Sequence, residues 1–318
     1  MELDGEFGSR PSVSVFLSFF RGQSFIREQL ESLNQQRGVE ISLYYHLDDR
    51  DSQTTIDVAD ARINCEQVKL VSGIGVPRAY FELLRSPVDA TDFYAYCDQD
   101  DVWDPIKLQR AASALKDLQG TPALWVCRIR PFNESGGVKK FGNAYPSKVP
   151  TPSFSNALVE TIAPGCAMVW NHALQEILVS GEIPEGALMH DTWAYLVASA
   201  FGRVLIEPET FVDYRIHDAN HVGIKRSFFH RMRRLLRALR DPSISTLETQ
   251  SAAFQQQFAA LLGARDTASL GALLSESRKT RVSAWKEGLL VRQSKVDNIQ
   301  LLPRLLMRPR STDRILRH

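Results

Sequence analysis

Tyr94-Ala95-Tyr96-Cys97-Asp98-Gln99-Asp100-Asp101-Val102-Trp103 is the stretch that decides the fold. Its apolar and aromatic start reads as a short buried strand, which delivers three carboxylates within four positions at its end. Acids so placed repel one another and are costly to gather unless a cation or a set of donors compensates them. Oxygen-only clusters suit hard ions such as Mg²⁺ or Mn²⁺, which keep open positions for substrate phosphates. The stretch therefore reads as a metal–diphosphate site at the end of a sheet strand, with a solvated acidic turn as the plain alternative. A calcium loop is excluded: its fifth, sixth and twelfth positions are Val102, Trp103 and Gln109, where an oxygen ligand, Gly and Glu are needed.

Upstream, Ser12 to Phe20 reads as a first buried strand and Phe25 to Asn34 as an amphipathic helix with Ile26, Leu30 and Leu33 on one face. Val39 to Leu47 is a second strand that ends in the polar loop Asp48-Asp49-Arg50-Asp51-Ser52. A helix is expected over Ile56 to Ile63 and a third strand over Val68 to Val71. Gly73-Ile74-Gly75-Val76-Pro77 then turns into a helix over Arg78 to Leu84. This alternation implies a mostly parallel, helix-covered sheet. Ligands bind beyond the carboxyl ends of such strands, so the loops at Asp48 and Asp98 can face one ligand.

A chain of 318 residues can bury a full α/β core and has room for a second, smaller unit. The net charge of +1 gives no global field for nucleic acid. Cys65, Cys97, Cys127 and Cys166 lack metal-type spacing and read as buried thiols of a reducing compartment. No apolar run approaches the roughly 18 to 20 residues of a spanning helix, and no secretory leader is expected. Met1 to Arg10 read as a vector-derived leader.

Taken in order, these pieces resemble an inverting glycosyltransferase of family 2 with the GT-A fold, in its bacterial rhamnosyltransferase-like branch. The resemblance spans about residues 12 to 225. It rests on the first strand with Glu28 to Leu33, on Asp48-Asp49 with Ser52, on Gly75-Val76-Pro77-Arg78, and on Cys97 to Trp103. Gly165-Cys166, His190-Asp191 and Tyr214-Arg215-Ile216-His217 complete it. It implies a GT-A domain over 11–225, with a Rossmann-like, mostly parallel sheet, and a helical basic region over 226–318.

The same resemblance implies roles. Asp48 or Asp49 holds the nucleobase, since a carboxylate accepts from the ring N–H of thymine or uracil, while at least one of the pair is a helix N-cap or turn acid. Asp98 and Asp100 match the DxD motif, with Asp98 and Gln99 on the nucleotide-sugar and Asp100 as principal ligand of Mn²⁺ or Mg²⁺. Asp101 is either a third contact or an acid at the start of the next helix. Arg78 and Arg215 suit phosphate, and His217 completes the metal shell. Gly165 and Cys166 line a sugar wall or form plain core. Asp191 is the base that deprotonates the acceptor hydroxyl, the alternative being a helix cap. His190 either positions that base or is a surface histidine. The first strand ends in Phe19-Phe20-Arg21 where the family has a Thr-Tyr-Asn type turn, leaving Phe20 to stack on the base. Gly73 stands where the family has Asn.

Beyond Gly223, Phe228, Phe229, Met232, Leu235, Leu236 and Leu239 form one helical face among arginines, and Thr246 to Leu274 reads as ordinary helix. A second basic-apolar stretch, Leu289 to Arg317, is interrupted by Pro303 and Pro309. These faces either dock on protein or touch anionic headgroups at the cytoplasmic side of the inner membrane. The expected activity is transfer of L-rhamnose from dTDP-L-rhamnose to a bacterial surface glycan or a lipid-linked glycan, with a UDP-linked hexose as the near alternative. A nucleotidyltransferase and a non-catalytic assembly partner rank below it.

Overall fold

The structure, a computed structural model, describes residues 9–48, 63–162, 164–217 and 246–307. The chain gathers into two compact units. One comprises residues up to Thr151 with Ile162–Ile183 and Val197–Arg215, and the other comprises Pro152–Thr161, Pro184–Leu196 and the chain from Ile216.

The first unit holds a nine-stranded sheet. Its strands are β1 (Ser12–Phe19), β2 (Glu40–Leu47), β3 (Asn64–Gln67), β4 (Phe93–Cys97), β5 (Val102–Trp103), β6 (Ala123–Ser135), β7 (Val138–Phe141), β8 (Met168–Asn171) and β9 (Arg203–Arg215). They lie in the order β3-β2-β1-β4-β8-β6-β9-β5, with β7 on β6. Pairing is parallel from β3 through β4 and again between β6 and β9; β8 runs antiparallel between β4 and β6. Helices α1 (Ile26–Asn34), α2 (Val76–Arg85), α3 (Lys107–Leu115) and α5 (His172–Ser180) belong to this unit.

β4 sits mid-sheet and is buried at all five positions, which is why its sequence is apolar and aromatic on both faces. Tyr96 packs on Trp170 at 4.5 Å between ring centroids and edge-on to Tyr80 at 5.3 Å. The register Leu17↔Cys97 brings the acidic loop after β4 level with the end of β1.

The third strand forms over Asn64–Gln67, not over Val68 to Val71. Those four residues match Ser42–Tyr45 on β2, and one further main-chain bond, Val68 N to Tyr45 O at 2.8 Å, ends the pairing. The chain must then turn to deliver Gly73 to Asp48, leaving Val71 exposed. The expected helices over Ile56 to Ile63 and Phe228 to Arg240 lie outside the described residues, apart from Ile63 itself.

The second unit contains α4 (Phe154–Ala157), α7 (Leu247–Phe258), α8 (Ala264–Leu274), α9 (Arg278–Lys286) and α10 (Lys295–Leu306). Thr246 to Leu274 is thus two helices. Thr246 and Thr249 form a reciprocal cap at the start of α7, and Gly263 precedes α8. Phe254 packs against Phe154, Trp193 and Phe258 at 5.2–5.9 Å. Arg281 is 2 % exposed and donates to the carbonyls of Ser275, Leu305 and Met307, closing helix ends that would otherwise be unmatched. Pro303 lies inside α10 and does not interrupt it. α6 (His190–Phe201) begins at His190, so Asp191 lies within its first turn.

Candidate active site

The loop after β4 is fixed from several sides. Tyr80 Oη donates to Cys97 O at 2.7 Å and reaches Asp98 Oδ1 at 3.4 Å. The Gln99 amide brackets the main chain of Phe20, accepting from its N–H at 2.8 Å and donating to its carbonyl at 2.9 Å. It lies so close to Gly22 that a Cβ there would sit 2.4 Å from the amide carbon. Gln99 therefore works as a strut between the ends of β1 and β4, where a ligand contact was expected. The Phe20 ring stays on the rim, 40 % exposed, with the Arg21 guanidinium 5.1 Å from its centroid.

Asp101 is fully buried. Its Oδ1 accepts from the Arg215 N–H at 3.2 Å, and its Oδ2 has no hydrogen-bond partner. Burial, with Asp100 and Asp98 alongside, holds this carboxyl well above the ordinary carboxylate range. Cys166 sits on the short turn Gly165–Ala167 before β8 and is also fully buried. Burial pushes its thiol up, and Asp101 and Asp98 push it further. One ligand atom each from Asp98, Asp101 and Cys166 lies within 4.8 Å of the other two. The motif pattern pointed to Asp100 and His217 as metal ligands. The structure brings together a different set, with Asp100 half-buried in the same loop and His217 two residues past the first unit.

Lys107, which sequence reasoning missed, closes the back of this cluster. It is fully buried, donates from Nζ to Cys166 O at 2.7 Å, and lies 3.0 Å from the Trp103 ring centroid. Burial pulls its amine down to about 8. A lysine opening a helix ordinarily reads as solvated, so no local signal marks it.

Arg215 is engaged otherwise than by the expected phosphate contact. Its side chain is 6 % exposed, donates to Glu134 at 2.8 Å and to Glu28, and lies over Phe132 and Phe25 at 4.6 and 5.0 Å. With Nε on Asp100 O at 2.9 Å, it braces the acidic loop. Its charge is already met by two carboxylates.

Asp48 is likewise committed. Its buried carboxylate accepts from the N–H groups of Gly73, Ile74 and Gly75 at 2.6, 2.9 and 3.0 Å. Gly73 and Gly75 adopt φ of 75° and 83°, which lets successive N–H groups converge on one anion. Gly73, a departure from the family pattern, is what this nest requires. Asp49 lies outside the described residues. Arg78 is in the first turn of α2, 44 % exposed at its side chain, with Nε on Glu82 at 3.1 Å.

In the second unit, Asp191 is half-buried in the first turn of α6, where the helix dipole favours an acid. Its Oδ1 accepts from the Thr192 N–H at 2.7 Å, while Thr192 Oγ1 accepts from Met189 N at 3.1 Å and donates to Met189 O at 2.8 Å. His190 is buried, not a surface histidine, and burial pulls its imidazole down to about 3, so it is neutral at pH 7.

No family model matches the sequence. Among solved structures, the fold is similar to S. aureus TarS residues 1–349 in complex with UDP-GlcNAc. The TM-score is 0.50 at 14 % identity, over 92 % of this chain and 90 % of that one. A mannosyltransferase, PcManGT from Pyrobaculum calidifontis in complex with GDP-Man and Mn²⁺, gives 0.44 at 17 % identity over 91 % and 87 %. The chain has the GT-A glycosyltransferase fold that its motifs led us to expect. Among curated proteins it is similar to the dTDP-rhamnosyl transferase RfbG of Shigella flexneri. The two are 24 % identical over 238 residues, 69 % of this chain and 78 % of that one.

Proposed function

We propose that this chain is a metal-dependent, inverting rhamnosyltransferase that moves L-rhamnose from dTDP-L-rhamnose onto a bacterial surface glycan such as O-antigen, lipopolysaccharide or capsule. The observation that carries the reading is the acid group at the carboxyl end of β4, where the buried Asp101 Oδ2 meets no N–H donor and lies beside the half-buried Asp98. A buried carboxylate oxygen without a donor is costly, so the donor set fits a divalent cation. Asp98 and Asp101 would hold it, and Asp100 and His217 are the further ligands that the family resemblance supplies. When bound, Mn²⁺ or Mg²⁺ supplies Lewis-acid charge at the leaving diphosphate.

The other steps belong to the chain's own side chains. Phe20 offers an exposed ring for the base, Asp49 takes its ring N–H, and Arg78 donates to phosphate. Asp191 accepts the acceptor hydroxyl proton as that oxygen attacks the anomeric carbon opposite the diphosphate. Gln99, Asp48 and Arg215 position the loops. The RfbG likeness supports dTDP-rhamnose as donor. Work at the cytoplasmic face of the inner membrane, on a glycan or lipid-linked glycan, agrees with the basic tail. No helix among the described residues is long and apolar enough to cross a membrane.

Calorimetric titration with dTDP, UDP and GDP, each with Mn²⁺, Mg²⁺ or EDTA, tests this on the parent and on Asp98→Ala. Metal-dependent binding of dTDP, lost in the variant, is expected. Preference for UDP would move the donor to a UDP-linked hexose, and no binding at all would sink the enzymatic reading.

A further inference from the structure

The acidic loop is joined by a thiol from a distant part of the chain, and the family resemblance assigns no metal role to that thiol. The ligand atoms of Asp98, Asp101 and Cys166 lie within 4.8 Å of one another. Metal–oxygen bonds of about 2.0–2.2 Å and metal–sulfur bonds of about 2.3 Å around one ion fit inside that span. A second, independent feature points the same way. Asp101 is 0 % exposed, and apart from the neighbouring Cys166 thiol no donor is set against its Oδ2, so this buried oxygen faces the same sulfur that would share the ion. Cys166 is moreover held in place, because the buried Lys107 ammonium donates to its carbonyl at 2.7 Å and the turn Gly165–Ala167 is buried throughout.

We propose that Cys166 is a thiolate ligand of the cation held by Asp98 and Asp101, and that it makes the site select Mn²⁺, Co²⁺ or Zn²⁺ over Mg²⁺. Mg²⁺ demands near-ideal octahedral oxygen ligands and dehydrates reluctantly, whereas a thiolate suits softer ions. The inference rests on the metal-dependent reading above and adds to it a ligand and a preference. It also gives Lys107 a task, as the buried group that positions the sulfur.

The test is a Co²⁺ titration of the full, reduced chain, followed by the near-ultraviolet thiolate-to-cobalt charge-transfer band. Calorimetry of dTDP binding in Co²⁺ runs in parallel. The expected result is one saturating band, removed by EDTA, absent in Cys166→Ser and retained in Cys127→Ser. Mn²⁺ should displace it at roughly 10-fold lower concentration than Mg²⁺, as the softer ion does at a sulfur-containing site. Cobalt-dependent dTDP binding in the parent without a thiolate band would overturn the proposal and leave Cys166 as a hydrogen-bond donor to Asp101. A band that survives Cys166→Ser would overturn it too. Loss of both the band and all metal-dependent dTDP binding would remove the metal-dependent reading together with it. The presence or absence of the band in the parent already decides whether a thiolate binds the ion, so the proposal stays falsifiable even if Cys166→Ser fails to fold.

Discussion

Replacing Asp48 with Ala removes the one acceptor shared by the N–H groups of Gly73, Ile74 and Gly75. A hydrogen bond to a charged group contributes about 1.5–3 kcal/mol. Three bonds to one carboxylate do not add, and the released loop can turn its N–H groups to water, so we expect a loss of about 3 kcal/mol, against about 1 for a typical substitution. Asp48→Asn keeps one acceptor oxygen and should lose about 2 kcal/mol. The assay is urea unfolding at pH 7 with hydrogen exchange read at residues 73–75, because two compact units can unfold separately. Those amides should exchange about 100-fold faster in Asp48→Ala, matching the free-energy loss. An unchanged unfolding midpoint and unchanged exchange, combined with loss of dTDP binding, would refute the reasoning. The carboxylate would then serve the nucleobase and not the loop.

His190 carries a pH signature. Its folded pKa of about 3 lies below the unfolded value of about 6.5, so the unfolded state binds the extra proton between them. Stability from this group is full above pH 6.5 and is lost as pH falls toward 3. At pH 5 the loss is about 2 kcal/mol, and His190→Leu should flatten that slope in unfolding curves. Arg215→Met strands Glu28 and Glu134 and unbraces Asp100. Because both carboxylates are about one-third exposed, the expected cost is discounted to about 2–4 kcal/mol by thermal unfolding. Arg215→Lys should recover little, since a single ammonium cannot reproduce the fork. Asp191→Asn should lower kcat by about 10²–10⁴ while leaving dTDP affinity unchanged, as measured by transfer assay and calorimetry.

The strand and acid cluster at Phe93 to Asp101 were legible because five apolar and aromatic residues in a row fit a buried strand, and three acids directly after it fit a strand end that meets a ligand. The first strand, its helix and α2 were legible for similar reasons of period. The rest depended on contacts between distant residues. Asp48 read as a ligand acid because nothing local shows that Gly73 to Gly75 fold back onto it. Arg215 read as a phosphate contact because its partners, Glu28 and Glu134, are far off in sequence. Cys166 read as sugar wall or core, and Asp101 as a further contact or a helix-start acid; only the sheet, with β8 beside β4, brings the two together. Lys107 carried no signal, since nothing in its helix shows that Trp103 and the Cys166 carbonyl enclose it.

The brace on the acidic loop also sets an order of events during synthesis. Asp100 and Asp101 receive their Arg215 bonds from residues 115 and 114 positions later. At about 5–20 residues per second, the ribosome leaves these acids without that brace for roughly 6–23 seconds. A nascent chain that stops short of Arg215 keeps its negative loop unbraced. The finished transferase site is therefore a late product of translation, although its acids are among the early ones to emerge.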